Sequence, residues 1–197
     1  MNQVESGIAL ISSDKDDTYS THPSRYKRLN AVKKGYNKAG GTSRVNNDYV
    51  VDNSTMSVEQ YYNRGKKRLD SKDYYVAIQD FNQAIRLKSD YIGAYFYRAF
   101  SKYKSQDYYG AIADFTKAIE LNPNNDNTYY NRGLAKYRLK DNYGAIADYT
   151  KAIEINPNNA SAYVNRGFAK LKLEDYYGAI ADYTKAIELN PNNALAY

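Results

Sequence analysis

From residue 58 onward, apolar positions recur with the spacing of helix faces rather than the two-residue alternation of strands. In Asn142–Ile155, Ala145, Ile146, Tyr149, Ala152 and Ile153 fall at i, i+1, i+4, i+7 and i+8, one face of an α-helix. Asp141 stands just ahead of it, as Asp73, Asp107 and Asp175 stand ahead of the equivalent stretches. A short side-chain oxygen there accepts an orphan N–H of the first turn. The stretch ends in Asn-Pro-Asn-Asn, where proline cannot continue a helix. A companion helix is predicted upstream, over 127–139. The whole pattern returns every 34 residues: 92–125, 126–159 and 160–193 align without a gap. A more divergent copy fills 58–91, with Ser89 where the others have Pro123, Pro157 and Pro191. Residues 194–197 match the start of another copy.

One helix pair cannot bury its own apolar face, so the copies must stack. Small residues mark where helices touch: Gly133, Gly167 and Ala99 in the first helices, Ala145 and Ala152 in a second. Helical glycine costs up to about 1 kcal/mol against alanine, so its repeated use at one place implies close packing. Counting positions from the start of each copy, Tyr61, Tyr95, Tyr129 and Tyr163 hold position 4, and Gly65, Ala99, Gly133 and Gly167 position 8. Ala77, Ala111, Ala145 and Ala179 hold position 20, and Phe81, Phe115, Tyr149 and Tyr183 position 24. Ala84, Ala118, Ala152 and Ala186 hold position 27, and the prolines position 32. This pattern resembles the tetratricopeptide repeat. The resemblance implies an all-α, right-handed solenoid of antiparallel helix pairs behind a loosely ordered N-terminal arm. It divides the chain into an arm and linker (1–57), four repeats (58–91, 92–125, 126–159, 160–193) and the start of a further one (194–197). Two positions depart from the family. Position 7, often Leu there, is Arg64, Arg98, Arg132 and Arg166; position 11, often Tyr, is Arg68, Lys102, Lys136 and Lys170.

The family likeness implies a protein-interaction scaffold without catalysis, its partner peptide lying in a concave groove lined by the first helices. The groove positions would carry Tyr62, Phe96, Tyr130 and Val164; Asn63, Tyr97, Asn131 and Asn165; and Lys66, Phe100, Leu134 and Phe168. Leu69, Tyr103, Tyr137 and Leu171 follow, with Asp70, Lys104, Arg138 and Lys172 at the edge. Such a surface favours a peptide with apolar anchors and some negative charge. Part of this stripe is expected in the core, because two of these positions also pack on neighbouring helices. A subset of the family grips a C-terminal carboxylate with Lys, Asn, Asn, Lys and Arg at set positions. Here those positions read Tyr62, Lys66, Tyr97, Asn127 and Asn131, or one copy later Phe96, Phe100, Asn131, Ser161 and Asn165, so that clamp is not expected. The pairs Tyr74-Tyr75, Tyr108-Tyr109 and Tyr176-Tyr177 are expected to open the second helices and touch the adjacent repeat rather than stack on bases. Arrays of this kind usually end in a polar-faced helix. The face of the last pair, with Tyr183 and Ile187, is expected to be partly bare, so that either the array continues or this end self-associates.

The first 57 residues hold no repeat, and 39–55 reads as a linker. Ahead of it, Ser20-Thr21-His22-Pro23-Ser24, Arg28-Leu29, Ala31 and Gly35-Tyr36 carry a likeness, over about residues 4–38, to the C-terminal tail of bacterial HExxH zinc metallopeptidases. The motif itself, two His ligands one turn apart with a Glu base, is absent from the chain. That likeness implies an alternative identity: the C-terminal fragment of such a peptidase, carrying the repeats but not the catalytic part. The chain would be cytoplasmic if Met1 is the native start, and periplasmic or membrane-associated if it belongs to a longer peptidase.

Composition narrows the chemistry. The 197 residues include no Cys and a single His, which excludes Cys/His zinc sites, iron–sulfur clusters and thiol nucleophiles. No phosphate-cradling GxGxxG or GxxxxGK[ST] is present. No cofactor, metal site or catalytic residue is expected. Asp114, Asp148 and Asp182 recur at one place in each copy and read as solvated helix faces rather than acid/base pairs. The net charge of +6 is spread over both parts of the chain, and Arg25-Tyr26-Lys27-Arg28 with Lys33-Lys34 reads as a solvated helix face. Neither nucleic-acid binding nor membrane insertion is expected. Of the 24 tyrosines, all but Tyr19, Tyr26, Tyr36 and Tyr49 lie in the repeats or just beyond them, where they serve packing and groove lining.

Overall fold

The structure, a computed structural model, describes residues 56–191. Residues 1–55, which hold the peptidase-like segment and nearly all of the arm and linker, and residues 192–197 lie outside the described residues. The described residues form eight α-helices and no strand: α1 Val58–Asp70, α2 Tyr74–Leu87, α3 Ile92–Lys104, α4 Tyr108–Leu121, α5 Asp126–Arg138, α6 Asn142–Ile155, α7 Ala160–Leu171 and α8 Tyr176–Leu189. They pack as consecutive antiparallel pairs, each pair stacked on the next. Helix α6 coincides with the predicted stretch, and α5 begins one residue earlier than predicted.

The capping aspartates work in three of four copies. Asp107, Asp141 and Asp175 accept from the N–H of Gly110, Gly144 and Gly178 at 2.9 Å each. A Cβ on any of those glycines would collide with the capping carboxylate. Helix α2 has Val76 in that place, and Asp73 makes no such cap. The turn before each second helix contains a residue with positive φ, and it is never glycine: Lys72, Gln106, Lys140 and Glu174, at 61°, 68°, 64° and 62°. The next N–H then bonds back to Arg68, Lys102, Lys136 or Lys170 at 2.8–3.0 Å, satisfying an orphan carbonyl of the helix end.

Each pair closes where the small residue of the first helix meets the ring of the second. A Cβ built on Gly133 would lie 2.7 Å from Tyr149 Cε1, and on Gly167 2.6 Å from Tyr183 Cε1. The glycines are there because the rings fill the space a side chain would need. Ala77, Ala111 and Ala145 are fully buried beside them.

The aspartates at position 23 overturn the expectation of a solvated face. Asp80, Asp114, Asp148 and Asp182 are 2–5 % exposed. Arg132 binds Asp148 in a fork, with Nη2–Oδ1 2.6 Å and Nε–Oδ2 2.9 Å, and Lys136 Nζ reaches the same carboxylate at 2.8 Å. Arg98 with Lys102 on Asp114, and Arg166 with Lys170 on Asp182, repeat the arrangement, while Arg64 and Arg68 share Asp80. The basic residues that depart from the family pattern are thus the partners of these acids. Each guanidinium also lies over a tyrosine of its own helix, as Arg132 does over Tyr129 at 5.6 Å. Its remaining nitrogen crosses to the previous pair: Arg98 Nη1 donates to Asn82 Oδ1 at 2.7 Å, Arg132 Nη1 to Thr116 Oγ1 at 3.0 Å and Arg166 Nη1 to Thr150 Oγ1 at 3.1 Å. One side chain therefore ties three helices together. Bidentate, charge-assisted geometry of this kind compensates the desolvation of a buried carboxylate.

Neighbouring first helices touch one another (α1 with α3, α3 with α5, α5 with α7), and no pair of second helices approaches as closely. The first helices therefore line the inner side of the curve.

Candidate binding surface

The inner surface is built by the helix positions left over once stacking has used the others. At its N-terminal end, Tyr62 sits between Tyr91 and Tyr97, ring centroids 5.1 and 5.7 Å away, both edge-on. Phe96 and Tyr97 continue the cluster at 5.3 Å, and Phe96 rests on the buried Phe115 at 5.7 Å. Lys66 Nζ lies 5.6 Å from the Tyr62 ring and 5.2 Å from the Tyr97 ring, a cation held by two π faces. Lys104 covers Phe100 in the same way at 5.1 Å. Burial, with the neighbouring Tyr97 and Tyr91 hydroxyls behind it, pushes the Tyr62 phenol up to about 12, so it stays a neutral donor.

Further along, groove residues bond across adjacent repeats. Arg138 Nε donates to Tyr103 Oη at 3.3 Å, and Asn165 Nδ2 to Tyr130 Oη at 3.0 Å. Asn131 Nδ2 turns back to the Asn127 carbonyl at 2.7 Å. Burial is the main cause that raises the Tyr130 phenol, while the bonds from Ser161 and Asn165 pull the other way.

Of the predicted groove residues, Asn63 and Arg138 are exposed. Tyr62, Lys66, Phe96, Tyr97, Phe100, Tyr130, Asn131, Leu134, Asn165 and Phe168 are half-buried. Val164 is 3 % exposed and packs with Ala186, so it belongs to the core. Leu69 is buried as well, whereas Leu171, at the corresponding place in the last copy, is exposed. Phe100, Leu134 and Phe168 rest one side on core residues, which is the sharing expected of that position. Sequence reasoning missed Tyr91 and Gly93. Tyr91 stands where Asn125 and Asn159 cap their helices, so α3 starts without a side-chain cap and the ring joins Tyr62 instead. Gly93 leaves room for the Tyr62 ring, since a Cβ there would sit 3.1 Å from it. The signal was the loss of the Asn-Pro-Asn-Asn ending in the first copy.

The paired tyrosines open α2, α4 and α8 as expected, but the second of each pair is exposed. Tyr108 packs edge-on against Tyr103 of its own repeat at 5.6 Å. Tyr75, Tyr109, Tyr143 and Tyr177 point outward, with Tyr177 90 % exposed, and so do not seat against the next repeat. Among the described residues no helix is long and apolar enough to cross a membrane.

Comparison with known proteins agrees with this architecture. The tetratricopeptide repeat family matches residues 127–159 and 160–193, and a related TPR repeat family matches 101–140. The Arabidopsis OM64 TPR domain is 34% identical over 53% of this chain and 87% of its own, with a TM-score of 0.52. The first TPR of Spaghetti (RPAP3), bound to the HSP90 peptide SRMEEVD, is 31% identical over 53% of this chain and 83% of its own, also at 0.52. MamA is 23% identical and shares the fold over 89% of this chain and 98% of its own, with a TM-score of 0.70. No curated protein matches the chain.

Proposed function

The chain carries tetratricopeptide repeats, and on that premise we propose that it is a non-catalytic scaffold that holds a partner peptide on the inner surface of α1, α3 and α5. The observation that carries this reading is Lys66 between Tyr62 and Tyr97, with Lys104 over Phe100 beside it. Rigid rings supply contact area at little entropic cost, and the two cations reward a carboxylate placed among apolar anchors. The preferred ligand is an extended or helical segment with aromatic or aliphatic anchors and one or two acidic residues. A solved relative binds an acidic chaperone peptide. This chain lacks the Lys-Asn-Asn-Lys-Arg clamp, so its acidic ligand is not expected to be gripped by a terminal carboxylate. Zinc content and casein hydrolysis by the purified chain are expected to be nil.

Display selection of a random peptide library on the full chain tests the proposal. Selected peptides should pair apolar anchors with acidic residues and bind equally well with a free or amidated C-terminus. Tyr97→Ala and Lys66→Ala should each weaken them about tenfold, a loss typical of a central contact. A selection that enriches nothing, or peptides indifferent to both variants, would refute the proposal. Self-association through the exposed face of α7 and α8 would leave the inner surface free; sedimentation velocity over a wide concentration range tests for it.

A further inference from the structure

The ring that packs on the small residue of the first helix is phenylalanine in two repeats, Phe81 and Phe115, and tyrosine in the other two, Tyr149 and Tyr183. The exchange adds a hydroxyl that the packing does not use. Tyr149 is wholly buried, and its oxygen has no hydrogen-bond partner among the described residues. A buried donor without a partner carries a desolvation penalty that phenylalanine avoids. Such a group in a folded chain calls for a reason other than packing.

The inner surface above it changes in step. Phe115 has Phe96 and Phe100 packed on its cluster, whereas Tyr149 has Tyr130 and Tyr137, with Tyr103 of the previous repeat as a further electrostatic neighbour. Tyr130 is held in place: Asn165 Nδ2 donates to its oxygen at 3.0 Å, and Ser161 bonds it as well. Tyr137 is half-buried, and its hydroxyl makes no hydrogen bond among the described residues. Tyr103 accepts from Arg138 Nε at 3.3 Å, so its own proton is left to donate. Arg138 is exposed, and Tyr103, Tyr108 and Tyr137 are the groups that bear on its charge. It has no carboxylate partner among the described residues, whereas Arg64, Arg98, Arg132 and Arg166 each sit on an aspartate. This part of the surface therefore gathers donors: the Arg138 Nη groups and the hydroxyls of Tyr103, Tyr137 and Tyr149. A carboxylate, with two acceptor oxygens and a negative charge, balances such a set best.

We propose that Arg138, Tyr103, Tyr137 and Tyr149 form a second subsite of the inner groove, which takes a side-chain carboxylate of the partner peptide. One carboxylate oxygen lies on the Arg138 Nη groups and the Tyr103 hydroxyl. The Tyr149 hydroxyl is covered in the free chain, and the ring that turns aside to expose it is Tyr137, since Tyr130 is tied to Asn165 and Ser161. The ligand then supplies the acceptor that the fold withholds. The inference rests on the reading that the inner surface binds a peptide, and it adds that the partner carries two separated acids, one for the Lys66 cage and one for Arg138. Tyrosine at 149 thus gives up some stability for binding, a trade common at functional positions.

The test uses the full chain and a small probe, glutamate blocked as its N-acetyl α-amide, with the blocked glutamine as neutral isostere. NMR titration at constant ionic strength should show saturable shifts at the Arg138 Nε–H and at the rings of Tyr103, Tyr137 and Tyr149. The glutamine probe should bind about tenfold more weakly, and Arg138→Gln should cost the glutamate probe as much, the worth of one charged hydrogen bond. Tyr149→Phe should weaken the glutamate probe about threefold, the worth of one neutral hydrogen bond, while thermal stability is unchanged or raised. A merely structural hydroxyl would not separate affinity from stability in that way. Lys66→Ala should leave the shifts at Arg138 as they are. Equal binding of the two probes, no shift at Arg138, or a probe indifferent to both Arg138→Gln and Tyr149→Phe would each overturn the inference. Peptides that need Lys66 and Tyr97 but ignore Arg138→Gln would overturn it and leave the groove reading intact. Glutamate binding at Arg138 while the peptide library enriches nothing would support the subsite and sink the groove reading instead.

Discussion

Arg132, Gly133 and Lys136 on one side of α5 make the same contacts that Arg166, Gly167 and Lys170 make on α7. On the other side of α5 lie Tyr130, Leu134 and Arg138, whose counterparts in the last repeat are Val164 and Phe168 on α7 and Lys172 at its end. One face of each first helix is copied from repeat to repeat and the other is varied. The copied face must satisfy a fixed geometry, because each ring, glycine and ion pair fits only its own partner. Apart from Val164, which packs on Ala186, the varied face meets solvent or a ligand, so its side chains are free to differ. Discrimination between partners therefore rests on the varied face, and the shape that presents it rests on the copied one.

Substitutions on the copied face should break the array. Arg132→Met leaves Asp148 with Lys136 as its one charged partner and removes the bidentate pair, and is expected to cost up to roughly 3 kcal/mol, the low end of what breaking a buried pair does. Chemical denaturation measures it. The triple variant Arg132→Met/Lys136→Met/Asp148→Leu should regain much of the loss, since it leaves no unpaired charge. If the triple variant is as unstable as the single one, the weakened pairing of the carboxylate is not the cause. Gly133→Ala should cost on the order of 1–3 kcal/mol, because the methyl forces the Tyr149 ring out of place. An unchanged melting temperature would show that the helices of a pair have slack.

Two smaller effects sharpen the contrast. The hydroxyls of Tyr149 and Tyr183 are buried with no hydrogen-bond partner, and burial is the main cause that pushes both phenols up. Phe81 and Phe115 hold the same place in the first two repeats. Tyr149→Phe is therefore expected to be neutral or to stabilise by up to about 1 kcal/mol, since removing an unsatisfied group relieves its desolvation penalty. A clear loss in thermal stability would mean that the hydroxyl is satisfied in solution. On the varied face, Tyr62 titrates at about 12 in the fold against 10 in the open chain. The fold favours its neutral form, so this contribution is complete below pH 10 and is lost as the pH climbs from 10 through 12. Spectrophotometric phenolate titration of wild type against Tyr62→Phe should locate it, and a difference curve centred at 10 would place Tyr62 outside the aromatic cluster.

Much of this was legible from spacing alone. The second helices and three of their four aspartate caps follow from local rules, and the recurring glycines marked a close approach, though not the rings that fill it. The groove was half legible. Tyr62, Tyr97 and Lys66 do line the inner surface, but Val164 does not. A valine in the varied stripe carries no sign of whether a neighbouring helix already covers it. Tyr91 escaped because an interhelix residue was expected to cap, not to stack.

By itself the sequence determined the period, the helix pairs, their stops and the need to stack, because hydrophobic periodicity and proline act within a few residues. Only the tertiary structure decided the fate of the charges. Asp148 and Asp182 have the spacing of a solvent face and the burial of a core, and nothing local distinguishes the two. The difference lies sixteen residues upstream, where Arg132 and Arg166 arrive on a packed neighbour and supply the bonds that water would otherwise provide. A carboxylate's environment is set by what the fold brings to it, and that is a property of the stacked array rather than of any one helix.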